Sequence, residues 1–222
     1  LPPFLAKYAA SNNLSPRIRQ FIYLHKDEMQ YLPDSSINGD DFYRIVGVKL
    51  WYDGSPYTGT MDVTEPYLNN ALTEKMGIKE GHSGEARMTD EDILQQINHY
   101  SKNDWQLAIH SQGDQSNNDL VSVIDKSLAN NHGLTADKLK RNRVEHGLLL
   151  PKRLLNDFSR LGMTPSFHIN HLYYYGDALS ERIIGEQRAN TLLPVRTAQE
   201  LGLHPTLHAD SPMFPADPFS LM

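Results

Sequence analysis

The sequence predicts an α/β fold of the TIM-type (β/α)-barrel class, and three stretches carry this prediction. Residues 107–110 (LAIH), 144–146 (VEH) and 207–210 (LHAD) are short apolar or β-prone runs, each ending on a side chain that can bind metal or move a proton. Each is followed by a turn-rich segment, and helical patterns separate the runs along the chain. Functional side chains of (β/α) barrels lie at the carboxyl ends of parallel strands, which matches this arrangement.

Six strands are predicted, mostly alternating with helices, where a closed barrel has eight. The predicted strands cover residues 17–24, 42–52, 105–109, 143–146, 163–167 and 205–209. Helices are predicted at residues 1–13, as a short helix beginning at residue 26, from a Thr89 cap to Tyr100, and over 117–130. Two more are predicted from Pro151 to a Gly162 cap and from Pro194 to Gly202. We therefore expect one domain over residues 1–222, a partial barrel that lacks the first strands.

Residues 53–88 form a long segment with no convincing period, rich in Gly, Pro, Thr and Asn. Connections of this length without secondary structure are uncommon in compact domains and are usually functional. The segment follows a predicted strand, so we predict a lid-like loop over the carboxyl end of that strand.

Composition excludes several functional classes. The net charge is −6 and no basic cluster is present, so nucleic acid is not an expected partner. No apolar run approaches the roughly 18 residues that span a bilayer, so no membrane association is expected. The chain has no cysteine, so a metal site must use His, carboxylate or Lys side chains, and a cytoplasmic location is predicted.

His110 and His146 are candidate metal ligands, because each ends a predicted strand and neutral imidazole is a common ligand of divalent metals. Each could instead be a histidine bonded to a neighbouring loop. On consecutive β-α units the two side chains would be neighbours in space. His168 and His171 follow another strand and are predicted to contact substrate, whereas residues 173–175 (YYY) are interpreted as loop packing.

Lys49 and Asp210 are the other candidates. Lys49 lies inside a β-prone run, where a lysine must be paired, snorkelling or neutral with a lowered pKa. A neutral lysine can take up carbon dioxide and become a carbamate ligand, although a surface lysine on an edge strand is an alternative. Asp210 could act as a general base beside a metal-bound water, or be a turn residue of its Asp-Ser-Pro sequence.

Four motifs in order give the chain a specific resemblance. They are GVKLWYDGSP at residues 47–56, IHSQGD at 109–114, RVEH at 143–146 and HADSP at 208–212. From about residue 17 onward the chain resembles the amidohydrolase superfamily, specifically its third-family branch, which includes N-substituted formamide deformylases. The resemblance implies a metal-dependent (β/α)8 barrel that hydrolyses amide-type C–N bonds of small molecules.

By position, the resemblance also assigns roles. Lys49 is similar to a strand-four lysine that is usually carboxylated, and His110 and His146 are similar to metal ligands on strands five and six. Asp210 is similar to the catalytic aspartate of strand eight, and His171 to a histidine near the substrate. The implied cofactor is a divalent metal, with zinc expected, as one or two ions in a full-length parent.

The chain departs from the family pattern because it contains no His-x-His motif, which the family carries on strand one. We therefore expect a C-terminal portion of a barrel, incomplete or weakly active, that holds one ion weakly or none. Its open strand edges predict a homo-oligomer. The alternatives are a non-catalytic barrel remnant acting as an assembly or interaction module, and a metal-using phosphoester hydrolase, for which no phosphate cradle is found.

Overall fold

The computed structural model of the chain describes residues 8, 11–12, 20–130, 134–215 and 217–222. Its parallel strands form one sheet that curls into half a barrel, and each strand pairs with the next along the chain. The six strands are Gln20–His25 (β1), Tyr43–Trp51 (β2), Gln106–Ser111 (β3), Arg143–His146 (β4), Thr164–His168 (β5) and Thr206–His208 (β6). The predicted partial TIM-type barrel is confirmed.

Helices lie between most of the strands. They are Ala71–Lys75 (α1), Asp90–Lys102 (α2), Asp114–Ala129 (α3), Ala136–Leu139 (α4), Lys152–Leu161 (α5), Asn170–Ala178 (α6), Glu186–Ala189 (α7) and Val195–Glu200 (α8). Turns of 3-10 helix occupy Lys26–Tyr31 and Pro56–Thr58, and a π-helical turn, Leu179–Ile183, extends α6. Over the described residues, every helix is too short or too polar to cross a membrane. The predicted helix at residues 1–13 and the first residues of the strand predicted at 17–24 lie largely outside the described residues.

Local chemistry sets the helix ends that the sequence predicts. Thr89 caps α2 by accepting the backbone N–H of Asp92 at 3.1 Å, and three acidic residues occupy the first turn. Gly162 ends α5 in the left-handed conformation, with φ 70°, which glycine adopts without steric cost. Helix α3 begins at Asp114, three residues before the predicted start.

The hydrophobic core lies between the convex face of the sheet and the helices. Strand residues such as Val48 and Leu107 meet helix residues such as Ile97 and Phe158, and all four side chains are fully buried. Burying each such side chain contributes about 1.5–3 kcal/mol. The alternate strand residues therefore face the concave side, where the polar and ionisable groups are.

The interpretation of residues 173–175 as loop packing is wrong, because they lie in helix α6. The buried side chains of α6 are the polar Asn170 and His171, while Leu172, Tyr173 and Tyr174 are exposed. An inward face made of polar residues shows no apolar period, so the usual signal of an amphipathic helix is absent.

Residues 53–88 are packed against the rest of the chain and contain the unpredicted helix α1. Met61 and Val63 are buried, and the Val63 N–H donates to the Ser83 carbonyl at 2.8 Å. The Arg87 N–H donates to the carbonyl of Tyr52 at the end of β2. Five residues are too few to show a helical period, which explains why α1 was missed. Movement of this segment as a lid stays a prediction.

Candidate metal centre

The predicted site residues gather at the carboxyl end of the sheet. His146 and His168 end β4 and β5, His110 is one residue before the end of β3, and Lys49 is two before the end of β2. Asp210 follows β6 by two residues and is exposed. The ring centres of His110 and His146 lie 4.3 Å apart. Parallel pairing of consecutive strands thus places these side chains at one edge.

A cavity of about 580 Å³ occupies the concave face. Lys49, His146 and Asp210 line it, as does His208. His110, His168 and His171 are outside this lining and lie around the mouth near His146. Two groups of side chains can be distinguished here. We call Lys49, Arg143 and Glu145 the charged group, and the five histidines His110, His146, His168, His171 and His208 the histidine cluster.

Members of the charged group neutralise one another. Arg143 Nε lies 2.8 Å from Glu145 Oε1, and the Arg143 guanidinium also donates to Ser166 Oγ at 2.8 Å. Burial lowers the pKa of Lys49 to about 8, against the opposing carboxylates of Glu145 and Asp210. A fraction of Lys49 is therefore a neutral amine near pH 7, which is the form that carbamate formation requires.

The His110 ring is held in one tautomer. Its Nε2 lies 3.0 Å from the carbonyl oxygen of Gly54, which can only accept, so Nε2 carries the proton and donates. The lone pair of the neutral ring is then on Nδ1. Burial lowers the pKa of His110 to about 4, so the ring is neutral near pH 7. Such outer hydrogen bonds orient metal-binding histidines in known sites.

Asp53 is a buried carboxylate whose structural role the sequence did not reveal. It accepts the N–H groups of Gln112 and Gly113 at 2.9 and 2.8 Å, and the Ser116 hydroxyl at 2.8 Å. Burial raises the pKa of Asp53 to about 6, although these hydrogen bonds oppose the shift. Its Oδ1 is 3.6 Å from His110 Nε2. Asp53 thus joins the ends of β2 and β3, and its only sequence signal is its position after a strand.

His146 has an unusual backbone conformation, with φ 72°. Side chains alternate along a strand, so a regular extension after Glu145 would turn His146 away from the concave face. The left-handed turn keeps its ring at the mouth, 5.0 Å from the ring of His208 and close to His110. For a residue with a side chain this conformation costs about 1–3 kcal/mol, and such strain concentrates at functional sites.

The remaining histidines pack ring against ring. The ring centre of His168 lies 4.0 Å from that of His171 and 5.0 Å from that of His208. The Tyr57 hydroxyl contacts His171 Nδ1 at 2.6 Å. Burial lowers the pKa of His171 and of His208 to about 3, and lowers that of His146 and His168 as well. The cluster is therefore neutral near pH 7.

Several ring nitrogens in the cluster are buried without a partner among the described residues. They are His146 Nδ1, both nitrogens of His168, His171 Nε2 and His208 Nε2. A buried polar atom left unpaired costs about 1–3 kcal/mol, and such atoms are rare in proteins. Each neutral imidazole offers one nitrogen lone pair to a divalent transition metal, so the donor set present here, one nitrogen per ring, suits such an ion.

Comparison with known proteins identifies the family. A family model described as the amidohydrolase family matches residues 4–222. An uncharacterised metal-dependent hydrolase from Pyrococcus furiosus has a similar solved structure, with a TM-score of 0.76 and 23% identity over 98% of this chain. A second such hydrolase, from Pyrococcus horikoshii OT3, gives a TM-score of 0.74 and 22% identity over 98% of this chain.

This chain spans 42% and 41% of the lengths of those two proteins. No curated protein matches the sequence. The family match covers nearly every residue, and the solved structures share the fold that the six parallel strands adopt. The chain therefore belongs to the amidohydrolase family, as its four sequence motifs predicted.

Proposed function

We propose that the protein is a metal-dependent hydrolase that cleaves amide-type C–N bonds of a small-molecule substrate. The observation that carries this proposal is the convergence of Lys49, His110, His146 and Asp210 at the carboxyl end of one parallel sheet. Family membership supports hydrolysis, and the two similar solved structures are those of uncharacterised metal-dependent hydrolases. Amide specificity follows from the resemblance of the motifs to the third-family branch.

In this proposal Lys49, His110 and His146 hold the metal, with zinc as the expected ion. His110 has its Nδ1 lone pair free, His146 Nδ1 is unpartnered among the described residues, and the lowered pKa of Lys49 favours carbamate formation. When bound, a divalent ion polarises the scissile carbonyl and lowers the pKa of water towards about 7. Because Glu145 forms an ion pair with Arg143, Glu145 is not counted among the metal ligands.

Asp210 is the proposed general base. Its carboxylate lines the same cavity as Lys49 and His146 and is open to solvent, so a water molecule can reach it. Asp210 accepts the proton of the attacking water and returns it to the leaving nitrogen, which is the usual division of labour for such a carboxylate. The left-handed backbone at Asp210, with φ 51°, turns the chain at this position.

The test is hydrolysis of a panel of N-acyl and N-formyl amines by the zinc-loaded protein, in this chain and in any longer natural chain that contains it. Asp210→Asn should abolish turnover while metal content, measured by elemental mass spectrometry, stays the same. Lys49→Ala and His146→Ala should abolish turnover. The control is Asp217→Asn, another exposed aspartate near the carboxyl end. Retained turnover in Asp210→Asn would refute the assigned role.

One observation favours a second candidate, an assembly or interaction module. Strands β1 and β6 are the outer strands of the sheet in the described part of the chain, and Phe21 and Trp51 near β1 are about half exposed. Edge strands with apolar side chains are association sites. This candidate predicts a stable homo-oligomer without bound metal, and light scattering coupled to size exclusion, together with metal analysis, separates it from the hydrolase. The cytoplasmic location stays a prediction.

A further inference from the structure

Three members of the histidine cluster lie close together. One ring nitrogen each of His146, His168 and His171 lies within 4.8 Å of the other two. The three residues are 5%, 1% and 2% exposed. Neither Lys49 nor His110 belongs to this trio.

The chain builds the trio from three consecutive local features. His146 is turned to the mouth by its left-handed backbone, and His168 ends the neighbouring strand β5. Helix α6 starts almost directly after β5, so His171 follows His168 by one turn and their rings are in contact. His171 Nδ1 lies 2.6 Å from the Tyr57 hydroxyl oxygen, and when Nδ1–H donates to it the lone pair is on Nε2, which has no hydrogen-bond partner among the described residues.

The donors select a class of ligand. Three neutral imidazoles without a carboxylate favour borderline ions such as zinc, cobalt or nickel over magnesium or calcium, which prefer oxygen. Bonds of about 2.0–2.1 Å in a tetrahedral site place neighbouring nitrogens roughly 3.4 Å apart. The present separations, up to 4.8 Å, need to shorten by about 1.4 Å to reach that value, which two rings can share through small changes of side-chain torsion.

We propose that His146, His168 and His171 form a three-histidine site for one borderline divalent ion, distinct from a site made by Lys49, His110 and His146. The ring of His208 is next to the trio, with its centre 5.0 Å from those of both His146 and His168. Because His146 is common to both sets, the ion occupies one set or the other. This site does not depend on the hydrolytic function proposed above.

The test is titration of the chelator-treated 222-residue chain with cobalt(II), followed by visible absorption and by isothermal calorimetry. We expect one ion per chain with the intense visible bands of a tetrahedral nitrogen site. His168→Gln and His171→Gln each remove a proposed ligand and should weaken cobalt binding by at least about 100-fold. Loss of a group that only orients a ligand can already cost about this much. Lys49→Ala and His110→Ala keep all three imidazoles of the trio and should still bind cobalt with the tetrahedral bands.

Two further variants keep the test decisive. Tyr57→Phe retains all three imidazoles and should weaken binding about 10–100-fold, because it removes only the hydrogen bond that orients His171. His204→Gln, at an exposed histidine, is the matched control and should bind as the parent chain does. Far-ultraviolet circular dichroism verifies that each variant is folded.

The opposite pattern overturns the proposal. If cobalt binding survives in His168→Gln and His171→Gln but is lost in Lys49→Ala and His110→Ala, the ion sits in the family's site and the trio is structural. If the folded parent chain binds no cobalt, the trio is not a metal site. Hydrolysis could fail in either case without changing these outcomes, so the two proposals are tested separately.

Discussion

The charged group and the histidine cluster are neighbours on the concave side of the sheet, yet they differ in how many of their polar atoms have hydrogen-bond partners. The Arg143 guanidinium donates to Glu145 Oε2 at 3.2 Å and to Ser166 Oγ at 2.8 Å, so only its Nε is without a hydrogen bond among the described residues. In the histidine cluster, nitrogens of His146, His168 and His171 are buried without a protein partner in the described part of the chain.

We expect from this difference that the Arg143–Glu145 pair serves the fold and that the histidine cluster serves ligand binding. A buried ion pair with good geometry is costly to break, because removal of one partner leaves a charge behind. Buried neutral imidazoles without partners weaken the folded state slightly, and proteins keep such costs mainly where function requires them. Within the charged group, the Arg143–Glu145 pair should therefore be sensitive to mutation without metal, whereas the histidine cluster should matter chiefly when metal is present.

The largest expected effect is in the charged group. Arg143→Met should lower the free energy of unfolding by about 3 kcal/mol, because Glu145 loses its partner while its side chain is only 10% exposed. Urea unfolding measures this change. The control is Arg160→Met, which breaks a half-exposed pair with Asp125 and should cost less than about 1 kcal/mol. An equal loss of unfolding free energy in the two variants would show that the buried Arg143–Glu145 pair matters no more to stability than an exposed pair does.

The second effect comes from metal. Zinc at 100 times its dissociation constant should raise the free energy of unfolding by about 2.7 kcal/mol, because it binds the folded chain preferentially. Thermal unfolding with and without zinc measures the increase. The increase should be absent in His168→Leu. If the His168→Leu variant gained as much as the parent chain, binding outside the three-histidine site would be the explanation.

A third effect concerns the same His168→Leu variant without metal, where the substitution should stabilise the folded chain. Without metal, His168→Leu should raise the free energy of unfolding by about 1 kcal/mol, since it replaces two buried nitrogens that lack partners among the described residues with apolar atoms of similar volume. The comparison is Ser166→Ala, which removes the hydroxyl that pairs with Arg143 and should be destabilising. A large loss in His168→Leu would contradict the view that this ring awaits a ligand.

The last effect is at the edge of the cluster and is similar in size to the third. Tyr57→Phe should reduce the free energy of unfolding by about 0.5–1.5 kcal/mol without metal, which is the usual net value of one hydrogen bond. Urea unfolding measures it, and the same variant supplies the metal-binding comparison described above. A change well above this range would mean that Tyr57 supports packing of residues 53–88 more than it supports His171.

By itself, the sequence determined the elements whose signals are local. Residues 143–146 form a strand as predicted, Thr89 and Gly162 mark helix ends, and the ordered motifs placed the chain in the amidohydrolase family. Caps act through the nearest backbone groups, and apolar periodicity reflects which face is buried, so both can be read without knowing the partner elements.

The sequence predicted that His110 and His146 are neighbours, but only the tertiary structure decided which other functional groups meet. Helix α6 buries polar His171 instead of an apolar stripe, so its sequence did not reveal a helix or the contact between His171 and His168. The left-handed turn at His146 and the Asp53 contacts to the β3–α3 turn depend on residues distant in the chain. Such conformations and pairings persist because the surrounding packing imposes them, and local propensity carries no record of that packing.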